Sequence, residues 1–343
     1  MNIIDQNPYI SVIIVSRNDD HGSRMFRRFC FCLDSLLNQL EKYKIPSEVI
    51  LVEWIPPAGR PLLKDIYSWR KDLKDVRIRV IVVPVSKIGS YEYSEEFAFR
   101  DLTPWNVGIS RANGTFILST VADSLFSDDL MAYIADRNLD TEKIYRIDRC
   151  DVNRRVLEIS SIEKRLSYCE HNIIDMHTLN PLKFLLKPKL PIMHDKAPGD
   201  FILMSRDRWH HIRGFPQGIT PGADCMVLYM AYLSGAKQHI LKKPMRLYHI
   251  DHDSSWKNPS YTFLRKFFIR LKLPFQIVDI LSNIGGRLIP IKSEWEKIIR
   301  RDFSGQTANT YIEEMISGGR SYIFNNEFWG INNQSMEEFV IDH

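Results

Sequence analysis

No apolar run in this chain approaches the ~18–20 residues that a membrane-crossing helix needs, so no membrane-spanning helix is expected. Cysteine is sparse: Cys30, Cys32, Cys150, Cys169 and Cys225 are five in number and scattered. Cys30-Phe31-Cys32 is one residue too close for a CxxC site and has no second pair, so neither zinc nor a disulfide framework is implied. Reduced thiols of this kind favour the cytoplasm. The formal net charge of +4 is small for 343 residues; it excludes no local basic patch, but no nucleic-acid partner is expected. GxGxxG is missing after the first apolar run, and GxxxxGK[ST] and HExxH are missing altogether. A dinucleotide-binding fingerprint, a P-loop NTPase and a zinc protease are therefore unsupported. No period of 20–50 residues repeats and no segment is low in complexity. The opening stretch, MNIIDQNPYISVIIVS, has an apolar run without a basic region or cleavage site, so no signal peptide is expected.

What remains is the composition of a globular α/β protein, 44% hydrophobic and 26% charged. Its length suits one large domain or a domain with an appendage. Residues 9–16 (YISVIIVS) read as a buried strand, followed by the polar loop Arg17-Asn18-Asp19-Asp20-His21-Gly22. Apolar residues at helical spacing cover 26–40. Residues 48–54 (EVILVEW) form a second strand closed by Pro56-Pro57, 62–73 a helix, and 76–84 a third strand. Such alternation predicts parallel βαβ units. Further strands are expected at 115–118, 143–148, 200–205, 238–241 and 245–249, with a helix at 226–233 ended by Gly235. Residues from about 152 to 198 have weak periodicity and several breakers, and read as a long functional or mobile connection. Beyond Ser255 the pattern is mainly helical, which sets the expected division at residues 1–255 and 256–343.

The richest stretch is 105–130, WNVGISRANGTFILSTVADSLFSDDL. Asn106, Gly108, Ala112 and Gly114 precede the apolar run, and the run ends at Asp123. A carboxylate just past the carboxyl end of a strand lies where open α/β sheets bind ligands, and it suits a hard divalent cation holding a diphosphate. The alternative role, an N-cap for the segment starting near residue 127, fits Ser127 better.

That order of Asn-x-Gly, Ala-x-Gly, strand and acid resembles the centre of the nucleotide-sugar-binding half of GT-A glycosyltransferases, family two in particular. The usual Asp-x-Asp is Val121-Ala122-Asp123 here, so the first acid is absent. The resemblance implies a mostly parallel, Rossmann-like central sheet flanked by helices, with a helical C-terminal region. It implies that the polar turn Ser16-Arg17-Asn18 and the acid Glu53 contact the base and ribose of the nucleotide, a UDP-sugar being favoured. Arg100 and Asn106 resemble a galactosyltransferase-like stretch that lines the nucleotide pocket, one residue longer in spacing; a surface salt bridge is the plainer role for Arg100. Farther on, Gly199-Asp200-Phe201, Trp209, Gly214-Phe215 and Gly222-Ala223-Asp224 follow the family order of small-residue strand, aromatic, Gly-Phe and Glu-Asp. Asp224 falls on the general base, while Ala223 replaces the Glu. An inverting transfer needs a carboxylate to take the acceptor hydroxyl's proton, although an acid at a helix start also serves as a cap.

Asp200 and Trp209 become candidate acceptor contacts, with a core position the plainer role for Trp209. In Tyr248-His249-Ile250-Asp251-His252-Asp253, a His at a strand end is a metal ligand in several GT-A enzymes. His249 is thus the candidate partner of Asp123, with His252 in reserve, and Mn²⁺ or Mg²⁺ the expected cation. Phe263, Leu264, Phe267, Phe268 and Leu271 share a helical stripe among Lys257, Arg265, Lys266, Arg270 and Lys272, with no acid in the stretch. A helix of that kind either packs its stripe on the catalytic domain or lies on an anionic membrane, which places peripheral contact at 257–272. The expected activity is transfer of a hexosyl or N-acetylhexosaminyl group to a hydroxyl of a glycan or glycolipid in polysaccharide or glycoconjugate synthesis, in the cytoplasm or at the inner face of the membrane. Two rivals stand beside it: a non-catalytic nucleotide-sugar-binding module, and a nucleotidyltransferase, whose usual Gly-rich basic loop after strand one is absent.

Overall fold

The computed structural model describes residues 7–19, 24–88, 102–181, 190–219, 222–252, 259–288 and 308–341. The N-terminal half alternates as expected. β1 (Ile10–Ser16) leads to helix α1 (Met25–Lys42), then β2 (Ser47–Trp54), the single turn α2 (Leu63–Ile66) and β3 (Val76–Val83). Helix α3 (Thr103–Ile109) precedes β4 (Phe116–Thr120), β5 (Ser124–Phe126) and α4 (Asp128–Ala135). β6 (Lys143–Ile147), β7 (Arg149–Val152), α5 (Ile162–His171) and β8 (Ile173–His177) follow. Then come β9 (Phe201–Ser205), α6 (Arg206–His211), α7 (Ala223–Leu233), β10 (Lys237–Leu241) and β11 (Leu247–Ile250). The C-terminal part holds α8 (Pro259–Arg270), α9 (Phe275–Leu288), α10 (Ala308–Ile316) and β12 (Glu337–Ile341).

The main sheet runs β10-β6-β9-β4-β1-β2-β3-β12. β1 pairs in parallel with both β2 and β4, and β2 with β3. β9 and β12 run antiparallel to their neighbours. This mostly parallel sheet flanked by helices is the architecture that the resemblance implies. Period-two alternation decides which core each strand residue enters: Val12, Ile14, Val49 and Leu51 pack against α1 on one face, while Ile13, Ile50 and Val52 pack with α3 and α7 on the other. A second sheet, β5-β11-β7-β8, starts directly after β4 and closes one end of the first.

Three expectations are corrected. The helix expected over 62–73 is one turn, because Tyr67 leaves it in an extended conformation and drops into the core. There its hydroxyl donates to Asp34, and its ring packs at a tilt 4.6 Å from Trp69, whose indole nitrogen reaches back to the Lys64 carbonyl at 2.8 Å. The long connection expected from 152 to 198 contains α5 and β8. Ser161 caps α5 by accepting from Lys164 N, and β8 is half-buried with Ile174 exposed, so it lacks the apolar alternation that marks a strand. The mainly helical C-terminal region also supplies an edge strand, β12, where Glu338 joins a buried pair: Arg79 donates to Glu338 Oε1 at 2.6 Å and to Glu48 Oε2 at 2.9 Å.

Two residues of the 105–130 motif are explained by close packing. A Cβ at Gly114 would lie 2.6 Å from the Ser11 backbone nitrogen and 2.8 Å from the Ile10 carbonyl carbon, so only glycine lets β4 enter beside β1. A Cβ at Gly108 would lie 2.5 Å from the Ile13 side chain. Gly114→Ala is therefore expected to destabilise the fold by about 1–3 kcal/mol, the usual cost of overpacking, read as a lower urea midpoint at unchanged slope.

Candidate active site

β1, β2 and β4 run in parallel, so Ser16, Glu53 and Thr120 end at one edge of the sheet. Asp123 stands three residues beyond the end of β4, and the second sheet is aligned to it by register. His249 of β11 lies opposite Ser124 of β5 on one side and Asp151 of β7 on the other, and Asp151 lies opposite Asp175 of β8. Neighbouring strands hold such residues side by side. The backbone joins the two ends of this row: Ile250 N donates to the Asp123 carbonyl at 3.2 Å.

Asp123 is buried. His249 Nε2 lies 3.6 Å from its Oδ1, His252 Nε2 3.4 Å from its Oδ2, and Arg28 Nε 3.2 Å from the same Oδ2. Burial raises the Asp123 carboxyl, but the facing His249, His252 and Arg28 outweigh it and hold the group below the ordinary carboxylate range. One ligand atom from each of Asp123, His249 and His252 lies within 4.8 Å of the others. That set, one carboxylate and two imidazoles, suits a first-row divalent cation such as Mn²⁺ better than Ca²⁺. The other ring nitrogen of His249 lies 3.3 Å from Asp151 Oδ1. A carboxylate behind a ligating imidazole fixes its tautomer and raises its basicity, so the residues present fit a cation.

Asp151 is itself charged at any ordinary pH. Burial pushes it up, but Arg149, His177 and His249 bring it well below the carboxylate norm. Arg149 Nε donates to Asp151 at 2.6 Å and its Nη1 to Asp200 at 2.6 Å. A continuous line of contacts thus runs from Arg28 through Asp123, His249, Asp151 and Arg149 to Asp200.

Asp224 opens α7, next to the segment that carries Asp200. Its carboxylate accepts from Gly199 N at 3.2 Å and Cys225 N at 2.9 Å. Burial raises its pKa above the carboxylate norm, and those two amides offset the rise only in part. A carboxylate held slightly basic is what proton abstraction from a hydroxyl requires. Ala223, where the resemblance expects an acid, is buried in the core, a position that would desolvate a carboxylate.

Ser16, Arg17 and Asn18 stay together at the end of β1. Ser16 Oγ accepts from Asn18 N at 3.1 Å, and Arg17 Nε lies 3.3 Å from Asp19. The direct ribose contact expected of Glu53 is corrected. Glu53 is fully buried, and it accepts from Asn18 Nδ2 at 2.8 Å and Leu63 N at 3.0 Å, so it braces the loop instead. Asn106 is likewise corrected. It is fully buried in α3, donates to the Phe215 carbonyl and accepts from Phe215 N, both at 2.8 Å, and so pins the Gly-Phe turn instead of lining a pocket. Trp209 is a core residue, not an acceptor platform: it is fully buried, with its indole nitrogen donating to the Ile117 carbonyl at 3.1 Å. Arg100 lies outside the described residues.

Sequence reasoning missed Arg28, Arg149 and Asp151. The signal for the last two was present, since residues 149 and 151 of a strand share one face. Nothing local marks Arg28 on the long helix α1. Arg146 of β6 is fully buried and donates to the carbonyls of His194 at 3.0 Å, Pro198 at 3.1 Å and Lys196 at 3.0 Å. It shapes the approach to Gly199 and Asp200.

No protein-family model matches the chain, and no curated protein matches it. Among solved structures it is similar to those of S. aureus TarS. The crystal structure of TarS 1-349 aligns at a TM-score of 0.48 and 14% identity, over 84% of this chain and 76% of that one. The complex of TarS 1-349 with UDP-GlcNAc aligns at 0.46 and 16% identity, over 79% and 69%. The complex with UDP aligns at 0.47 and 15% identity, over 91% and 92%.

Proposed function

We propose that the protein is a glycosyltransferase that moves a sugar, hexosyl or N-acetylhexosaminyl, from a nucleotide diphosphate sugar to a hydroxyl of a glycan or glycolipid. UDP is the favoured nucleotide, inversion the stereochemical course, and polysaccharide or glycoconjugate synthesis on the cytoplasmic side the setting. The observation that carries this reading is the grouping of Asp123, His249 and His252 beyond the carboxyl end of β4, linked through Asp151, Arg149 and the Gly199-Asp200 segment to Asp224.

Asp123, His249 and His252 would hold the divalent cation, Mn²⁺ or Mg²⁺, which when bound neutralises charge on the departing diphosphate. Asp151 faces the far nitrogen of His249 at 3.3 Å, where its charge favours the ring as a ligand, and Arg149 keeps Asp151 ionised. Ser16 and Arg17 would offer polar groups to the nucleoside, in a loop that the buried Asn18 braces by donating to Glu53 and to the Pro61 carbonyl. Asp200, oriented by Arg149, offers a carboxylate to the acceptor. Asp224 accepts the proton of the attacking hydroxyl on its carboxylate as that oxygen bonds to the anomeric carbon.

UDP release from UDP-sugars with Mn²⁺ tests the reading. Asp224→Asn is expected to lose roughly 10²–10⁴-fold in kcat, the usual worth of a positioned base, while UDP affinity stays within about twofold; unchanged turnover removes Asp224 from its role. UDP that binds tightly without turnover on any glycan acceptor would point instead to a binding module.

The raised pKa of Asp224 fixes the sign of the pH response. Because the base works only when ionised, kcat/KM should fall as pH drops through its pKa. The acid limb should have its midpoint above ~4, the value of a free Asp, and Asp224→Asn should abolish that limb.

Asp151→Asn is expected to weaken Mn²⁺ binding roughly 10–100-fold, as removal of a carboxylate behind a ligating His does. Titration calorimetry with the metal alone would read this, and an unchanged affinity would show that Asp151 does not support the cation site.

A further inference from the structure

Helices α8 and α9 pack against each other, and among the described residues their polar ties to the domain lie on one side. On α8, Arg265 turns inward, donating to Asp175 Oδ2 at 2.6 Å and Oδ1 at 2.8 Å and to the Met176 carbonyl at 2.9 Å. On α9, Asp279 also turns inward, where it accepts from Lys196 at 2.6 Å and Asn180 at 3.0 Å and lies 3.6 Å from Arg265. Each inward residue sits two positions beyond the first residue of an apolar stripe. Two positions is roughly 200° of helix rotation, so each stripe points away from the domain. Phe263, Phe267 and Leu271 form the stripe of α8 and its C-terminal turn, and Ile277, Leu281 and Ile284 that of α9. All six are exposed, Phe263 keeping 69% of its surface and Leu271 56%. Leu264 packs against Gly285 to hold the helices together, and because Arg265 and Asp279 meet on the inner side, both stripes lie on the outer side of the pair.

A monomeric protein rarely leaves two aligned stripes of this size in water. Their charge says what covers them. Lys266, Arg270 and Lys272 are exposed beside the stripes, and none has a carboxylate within 4.0 Å among the described residues. The chain has no acid from residue 254 to residue 278. Among the described residues, no helix is long and apolar enough to cross a membrane. We propose that this face docks the protein on the surface of an anionic lipid bilayer, with the phenylalanines and aliphatic side chains in the acyl boundary and the cations among the headgroups. A cavity of about 410 Å³ runs along α8 from its inner side to its basic flank, lined by Asp151, Asp175, His177, Arg265, Lys266 and Arg270 among others. Docking would bring its mouth, and the Asp151 end of the site, close to the lipid surface.

The test is flotation of the full chain with vesicles of phosphatidylcholine alone or mixed with phosphatidylglycerol, without any sugar donor, so that its outcome is independent of catalysis. The wild type should bind the anionic vesicles at least tenfold more strongly, and less so at high salt. Lys266→Glu/Arg270→Glu should lose roughly thirtyfold or more, each surface cation being worth a factor of about five. Phe263→Ser/Phe267→Ser should lose at least tenfold, while Lys71→Glu/Lys74→Glu, a charge-matched change elsewhere on the surface, should bind as the wild type does. Equal partition onto both vesicles, no partition, or either face variant binding like the wild type would overturn the proposal. So would vesicle-free self-association that Phe263→Ser/Phe267→Ser dissolves, which would assign the face to a second copy of the chain.

Discussion

Burying charge is costly unless every charge is partnered, and the cleft of this protein depends on one unbroken line of partners. Asp123 faces His249, His252 and Arg28; His249 faces Asp151; Asp151 and Asp200 share Arg149. Arg149 is the member shared by two carboxylates, so its removal would leave both Asp151 and Asp200 short of a partner. Such a line stabilises less than an apolar core of equal volume would, and its use is to hold polar groups in fixed positions. Here it keeps a carboxylate and two imidazoles within ligating distance of one another.

The line exists because two sheets meet at one place. β4 ends and β5 begins within four residues, so the main sheet delivers Asp123 to the rim while the second sheet delivers His249 and Asp151 by register. The buried Arg146 anchors the 194–198 segment by its carbonyls, which sets Asp200 toward Arg149 and Gly199 toward Asp224. Beyond the second sheet the same logic continues outward: Asp175 of β8 holds Arg265, and Arg265 orients the helix whose far side is apolar and basic. Cleft and outer face are therefore coupled through β8.

The missing acids have different settings. Val121 stands half-buried at the end of β4, and the positive side of the site is correspondingly rich, with Arg28 already paired to Asp123. Ala223 is in the core, where its methyl group packs and a carboxylate would go unsolvated. One acid at each motif thus carries the polar chemistry, and the remaining negative charge comes from Asp151 and Asp200.

Strands β1 to β4 and helices α1 and α7 were legible in the sequence because their burial is local and periodic: a run of apolar β-branched residues buries itself whatever its neighbours are. Asp123, His249 and Asp224 stood out as candidates because they lie just past a strand, near the end of a strand and at the start of a helix. Burial of single polar residues was not. Glu53, Asn106 and Trp209 occupy positions that look suited to ligands, but their side chains are spent on Leu63, Phe215 and Ile117, partners fixed only when loops and strands pack. The second sheet was also hidden, since β8 is half-buried and its pairing carries no apolar alternation. By itself the sequence determined the order of elements and the acids at their ends, because short-range periodicity and turn chemistry act along the chain. Only the tertiary structure decided that Arg28, Arg149 and Asp151 would meet Asp123, Asp200 and His249, because those partners lie tens of residues away along the chain.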